Sequence, residues 1–359
     1  MIKKVIIINL IFVMLSFSVQ AKTNNAEFSY EKFISDSGEY INESIDIEHA
    51  IENPSELYGM FKMVVLNTFK LYSNEHIKLF FLILLILILT SILKSVVTNS
   101  TISEIMSFVT GIILSLFIAK NFESVSQIAV NAIGDLNNYM NFSFPSYALL
   151  LASCGYGKTA ASLQSVYVLL SNVITIGINK VVVPSLTICS ILGILNSITN
   201  SQEISVLTKT TLKFIKYAIG IIITIFSAIL GFTGFVSGTN EGVMIKTAKY
   251  AISSFVPLVG NCLADTLSTI MNTSLLLKNT IGYIGIIVLL IICLLPVIKL
   301  YMVSVLYKLL SFISSTLLCK NISDTFDIIS TVVSAMGSVV VLTTVIFVLN
   351  IGIILSLGV

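Results

Sequence analysis

The run IKLFFLILLILILTSILKSVV, residues 77–97, carries charge only on Lys78 and Lys94, near its two ends. A hydrocarbon core about 30 Å thick takes roughly 20 apolar residues to cross as a helix. No water is there to satisfy backbone groups, so such a stretch has to bond within itself. Further stretches of this kind recur at 103–119, 163–183, 185–199, 217–237, 280–295, 297–318 and 335–358. Composition agrees: 56% of the 359 residues are apolar and 11% are charged, against roughly 25% charged in a soluble domain. The expected fold class is all-α, a polytopic integral membrane helical bundle.

All basic residues are lysine, and arginine and tryptophan are absent. That removes the bidentate guanidinium fork and leaves Tyr and Lys as interfacial anchors.

The amino terminus, MIKKVIIINLIFVMLSFSVQAKTNN, joins Lys3 and Lys4 to an apolar core and a small-residue site at Val19-Gln20-Ala21. It reads as a signal peptide over 1–21, with an uncleaved anchor as the alternative. Residues 22–76 hold ten acidic residues against four lysines. Asn53, Pro54 and Glu56 form a capping-box start. Leu57, Phe61, Val64, Val65, Thr68 and Phe69 then share a helical face. The region is an acidic extracytoplasmic segment with an amphipathic helix that needs the membrane or a partner; a solvated linker ending in that helix is the alternative.

The prolines divide the membrane part. Pro257 follows Pro145 by 112 residues, and Pro296 follows Pro184 by the same 112. This spacing predicts an internal duplication, with first membrane helices over 77–141, repeat 1 over 142–240 and repeat 2 over 241–359. Weak segments lie at 122–140, 142–157, 241–256, 255–273 and 321–334. The last, with Asp324 and Asp327, reads as an interfacial helix. Whether the repeats are inverted or parallel depends on whether 142–157 crosses. Gly/Pro-interrupted segments at matched positions mark substrate paths in many transporters, which makes Pro145, Gly155, Gly157, Pro257 and Gly260 candidate helix breaks.

SCGYGKT, residues 153–159, imitates the tail of a phosphate-binding loop, but Ala152 stands where its first glycine is needed. No strand precedes it either. No nucleotide, nucleic acid or cofactor is expected, and Lys158 is read as snorkelling to headgroups. The five cysteines sit in apolar segments without C-x-x-C spacing, so neither a disulfide framework nor a metal site is expected. No nucleophile–base pairing is visible, and the chain is read as non-enzymatic.

Polar residues recur on one helical face after Pro257: Asn261, Asp265, Ser268, Thr269, Asn272 and Asn279, a stripe about 25 Å long. A milder stripe precedes it, through Ser153, Gly157, Gln164, Tyr167 and Ser171. A carboxylate at membrane depth is a functional candidate because lipid exposure costs at least ~2.5–3.5 kcal/mol. Asn261, Asp265, Thr269, Asn272 and Asn279 are therefore the candidate polar pathway; Asp265 as a cap or interfacial group is the alternative.

The stretch from Ile245 to Leu310 resembles the stage III sporulation protein AE family of endospore-forming Firmicutes. The resemblance rests on Thr247-Ala248-Lys249, Phe255-Val256-Pro257, Gly260, Asp265, Leu275-Leu276-Leu277-Lys278-Asn279, Gly282 and the Pro296-to-Lys308 stretch. It implies a multi-pass component of the complex encoded by the stage III sporulation A operon, in the mother-cell membrane around the forespore. The partners it implies are the other operon proteins and a forespore-side protein. It carries no catalytic residue. A stand-alone secondary transporter using the repeat interface is the alternative.

Overall fold

The computed structural model describes residues 54–97, 99–153, 157–199, 202–236, 260–317 and 320–356, with backbone alone at 54–65, 226–236, 260–280 and 353–356. Among the described residues every element is helical. In order they are α1 (Pro54–Val96), α2 (Ser100–Ser153), α3 (Gly157–Ile174), a π-helical segment (Thr175–Val182), α4 (Val183–Thr199), α5 (Gln202–Val236), α6 (Gly260–Thr316) and α7 (Lys320–Ser356). The chain divides into two compact units, Met1–Val64 and Val65–Val359. Only the start of α1 is described in the first, and the following account concerns the second.

Among the described residues five stretches are long and apolar enough to cross a membrane: His76–Val96, Thr101–Leu149, Ala160–Asn196, Ile281–Thr316 and Ile322–Gly352. Two of them each join a pair of spans that the sequence separated, 163–183 with 185–199 and 280–295 with 297–318. Residues 280–295 and 297–318 were expected as separate spans, yet α6 runs through Pro296 without ending. Pro296 loses one intrahelical bond, to the Ile292 carbonyl, and its ring crowds that carbonyl. Helices packed on both sides make such a loss tolerable in a membrane. Pro145 likewise lies inside α2, which continues to Ser153.

Pro184 has a different effect. Its ring excludes the Lys180 carbonyl from an ordinary helical bond, and the turns before it are widened: Val183 N–H donates to the Ile178 carbonyl, five residues back. The rod from Gly157 to Thr199 thus continues past a proline by way of a π segment.

The interior is organised around α6 and α7. They form an antiparallel hairpin, and α6 also packs along α2. No residue from Ile281 to Ser304 is exposed, so the strongest apolar sequence in the chain is core. On α7, every seventh residue meets α6: Ser323, Ser330, Gly337, Thr344 and Ile351 lie against Ser311, Ser304, Tyr301, Cys293 and Gly285. Small residues at this spacing let two backbones approach where lipid gives no hydrophobic drive for association. The closest point is reciprocal: Ser304 Oγ donates to the Ser330 carbonyl at 2.9 Å, and Ser330 Oγ to the Ser304 carbonyl at 2.8 Å. A methyl at Gly285 would overlap the Tyr147 hydroxyl of α2, so this glycine sets the distance between α2 and α6.

The expected interfacial helix at 321–334 is instead the first part of α7. Ile322, Phe326, Ile329, Val332 and Val333 are buried, and Asp327 forms an ion pair with Lys308 of α6. A carboxylate neutralised across the hairpin no longer forces its helix to the surface.

The 112-residue correspondence does not reappear in the pattern of elements. In the first copy one described helix, α2, ends at Ser153 and the next, α3, opens at Gly157, whereas the matching positions Asp265 and Thr269 lie inside one helix, α6. In sequence the first copy has Gly155 and Gly157 here, and Thr266-Leu267-Ser268 contains no glycine.

Candidate polar faces of the bundle

The two halves of α2 differ. From Ile105 to Leu116 its exposed side chains are large and apolar, as are those of α1 from Phe81 to Leu93. The Thr90 and Thr110 hydroxyls face each other across the two helices at 3.1 Å. Each hydroxyl also donates to the carbonyl four residues back, so neither adds an unpaired polar group. Beyond Asn121 one face is core, through Phe122, Val125, Ala129, Ile133, Leu136, Met140 and Phe144. The opposite face is polar and exposed: Glu123, Gln127, Asn131, Asp135 and Asn138 follow one another at steps of four and three residues. Gln127 Nε2 donates to Asn131 Oδ1 at 2.7 Å along this face. Five polar side chains in a row are expensive against acyl chains, so this face belongs to water or to protein.

Between its two faces, α2 carries amides that bind α3. Tyr167 Oη donates to Asn141 Oδ1 at 2.7 Å, and Ser171 Oγ to Asn137 Oδ1 at 3.1 Å. Phe144 stacks on Tyr167 with ring centroids 4.1 Å apart. Tyr167 and Ser171 belong to the milder stripe read from the sequence, and both are used to fasten α3 antiparallel to α2. Toward α6, Asn121 Nδ2 donates to Tyr307 Oη at 2.8 Å. Thr325 Oγ1 donates to the Gly193 carbonyl at 3.0 Å, tying α7 to α4. Each pair satisfies a polar group that lipid would leave unpaired.

The pathway candidates Asn261, Asp265, Thr269, Asn272 and Asn279 all lie on the first part of α6, which Gly260 opens as an unbroken helix. At 100° per residue they stay within one face; their side chains lie outside what is described. Of the candidate breaks, Gly157 opens α3 and Pro145 is internal to α2, while Gly155 and Pro257 fall outside the described residues. Among the described residues no three His, Cys, Asp or Glu side chains gather as metal ligands would.

Sequence reasoning did not single out the face from Glu123 to Asn138, nor the seven-residue step of Ser323, Ser330, Gly337 and Thr344. Both periodicities are present in the residues. What was missing was which face points inward.

The family model for stage III sporulation protein AE matches residues 36–358, almost the whole chain. This chain belongs to that family. A relative, "Stage III sporulation protein AE" of Bacillus subtilis (strain 168), is 26% identical over 271 residues, covering 76% of this chain and 68% of the relative. No solved structure matches. Family membership places the chain in sporulation, and the five apolar stretches among the described residues fit a multi-pass membrane protein.

Proposed function

We propose that this protein is a non-enzymatic, integral-membrane subunit of the stage III A transenvelope complex, in the mother-cell membrane that surrounds the engulfed forespore. The observation that carries the proposal is the family match over 36–358. In this reading residues 1–21 are a signal peptide, the acidic segment 22–76 faces the intermembrane space, and the two proline-marked segments are diverged copies of one unit. The other operon proteins and a forespore-side protein are its partners. The stripe from Asn261 to Asn279 is a polar path within α6, with Asp265 at its centre.

Isolation from sporulating cells in mild detergent tests the assignment. Stable recovery of the other operon products is the expected result. Recovery of the protein alone, together with solute uptake by the lone protein in liposomes, would instead favour a stand-alone secondary transporter. For the path itself, Asp265→Leu is expected to abolish spore formation while the protein still inserts and accumulates. Wild-type spore counts from that variant would leave Asp265 a dispensable residue.

A further inference from the structure

α5 carries a second exposed polar face, and it is basic. Lys209, Lys213 and Lys216 are all exposed and lie at steps of four and three residues, one helical stripe. The acid-and-amide face of α2 and this lysine face belong to different flanks. α5 packs on α3, the π segment and α4, while α2 packs on α6, α7, α3 and α4, so the α3–α4 rod stands between them.

A chain of contacts fixes their relative height. Asn121 of α2 bonds Tyr307, whose neighbour Lys308 pairs with Asp327. Two residues from Asp327, Thr325 bonds the Gly193 carbonyl of α4. One turn from Gly193, the Cys189 thiol reaches the carbonyl of Thr208, next to Lys209, at 3.9 Å. The path falls one residue on α6 and two on α7, then rises four on α4 and one on α5, so Lys209 stands about 3 Å above Asn121, level with Glu123. α2 and α5 also run in the same direction, because α3 is antiparallel to α2, the rod continues into α4, and α5 turns back along it through the contacts Cys189–Thr208 and Gly177–Ile222. With a rise of 1.5 Å per residue, Lys209 to Lys216 spans about 10 Å and Glu123 to Asp135 about 18 Å. The lysine stripe starts level with Glu123 and ends below Asp135.

We propose that copies of this chain associate head to tail in the membrane, the lysine face of α5 in one copy docking on the Glu123–Asn138 face of α2 in the next. Copies inserted by one route share an orientation, so they are related by rotation about the membrane normal, and surfaces of equal height meet. Pairing α2 with α2 under that rotation would set Glu123 against Glu123 and Asp135 against Asp135, which like-charge repulsion opposes. Docking on α5 sets acids and amide carbonyls against ammonium donors. Among the described residues of these two helices, Lys120 lies one turn below Glu123 at the end of the acidic face, and Glu203 in the first turn of α5 lies exposed below the lysines. Two different, complementary patches make a heterologous contact, which closes into a ring or continues as a filament. This goes beyond the sporulation reading and does not depend on it.

The test uses the purified full-length protein in detergent and in nanodiscs, with mass read by light scattering. The unaltered protein is expected to run as a multimer. Glu123→Lys with Asp135→Lys, or Lys209→Glu with Lys213→Glu and Lys216→Glu, should each weaken association at least tenfold. All five changes in one chain should restore it. A monomeric unaltered protein, or a multimer that neither reversal disturbs, overturns the proposal. Should a reversed variant fail to fold, Gln127→Cys and Lys213→Cys in an otherwise cysteine-free chain decide the matter. Disulfide-linked dimers and higher species on oxidation support the contact, and their absence overturns it.

Discussion

The α6–α7 hairpin and the distal half of α2 both place polar residues at regular helical intervals within apolar sequence, and they use them in opposite ways. In the hairpin Ser304, Ser311, Ser323 and Ser330 are buried and bond one another or the facing backbone. On α2, Glu123, Gln127, Asn131, Asp135 and Asn138 face outward. Size makes the difference. A serine is short enough to reach the facing carbonyl while two backbones nearly touch; Gln, Asn and the acids are too long for that gap and sit where a second surface or water can meet them. Polar residues in a membrane sequence thus divide into those that close a helix pair and those left for something else.

The comparison can be broken hardest at the helix contacts. Gly285→Leu forces a side chain into the Tyr147 hydroxyl and should destabilise the protein by about 3 kcal/mol, the upper part of the usual range for overpacking. Thermal unfolding in detergent and the level of accumulated protein would both register it. At the reciprocal serine pair, Ser304→Ala and Ser330→Ala measured singly and together should give a coupling of about 0.6–1.7 kcal/mol. A coupling near zero would mean that close backbone approach, not the hydroxyls, holds the hairpin.

The Lys308–Asp327 pair is more exposed, at 65% and 48% of the two side chains. Its loss should cost under about 1 kcal/mol. Removing both partners should cost less than removing either alone, since a single change leaves the other charge without its counterion. The smallest effect belongs to α2. Gln127→Leu with Asn131→Leu should change unfolding by no more than about 0.5 kcal/mol, as exposed positions do. A large loss of stability there would show that the outward face is already part of the fold, and would erase the contrast with the hairpin.

The helical membrane architecture was legible because runs such as 77–97 allow no other reading. Where spans begin and end was less legible. Pro145, Pro184 and Pro296 look alike in sequence, yet one lies late in a helix, one follows a widened turn and one sits mid-helix, according to what packs beside each. Asp324 and Asp327 suggested an interfacial helix because the partner of Asp327 lies nineteen residues back, on a helix whose register only the hairpin fixes. Asn261, Asp265, Thr269, Asn272 and Asn279 fall on one helix, α6, and their spacing alone sets them on one face of it. The α2 face carried the same periodic signal, but its direction depends on α6 and α7, the first of which opens at Gly260, more than 120 residues beyond Asn138.

The π segment before Pro184 has a consequence for how one rod serves two neighbours. Each additional residue in a turn advances the angular phase of everything downstream by about 100° relative to an uninterrupted helix. Upstream, Tyr167 and Ser171 address α2; downstream, Gly193 addresses α7, close against Ile328. The widened turn acts as a phase shifter between these two commitments. Deleting a single residue from 175–182 would carry Gly193 away from Ile328 while leaving α3 where it is, so the spacing of this short stretch should tolerate substitution far better than a change of length.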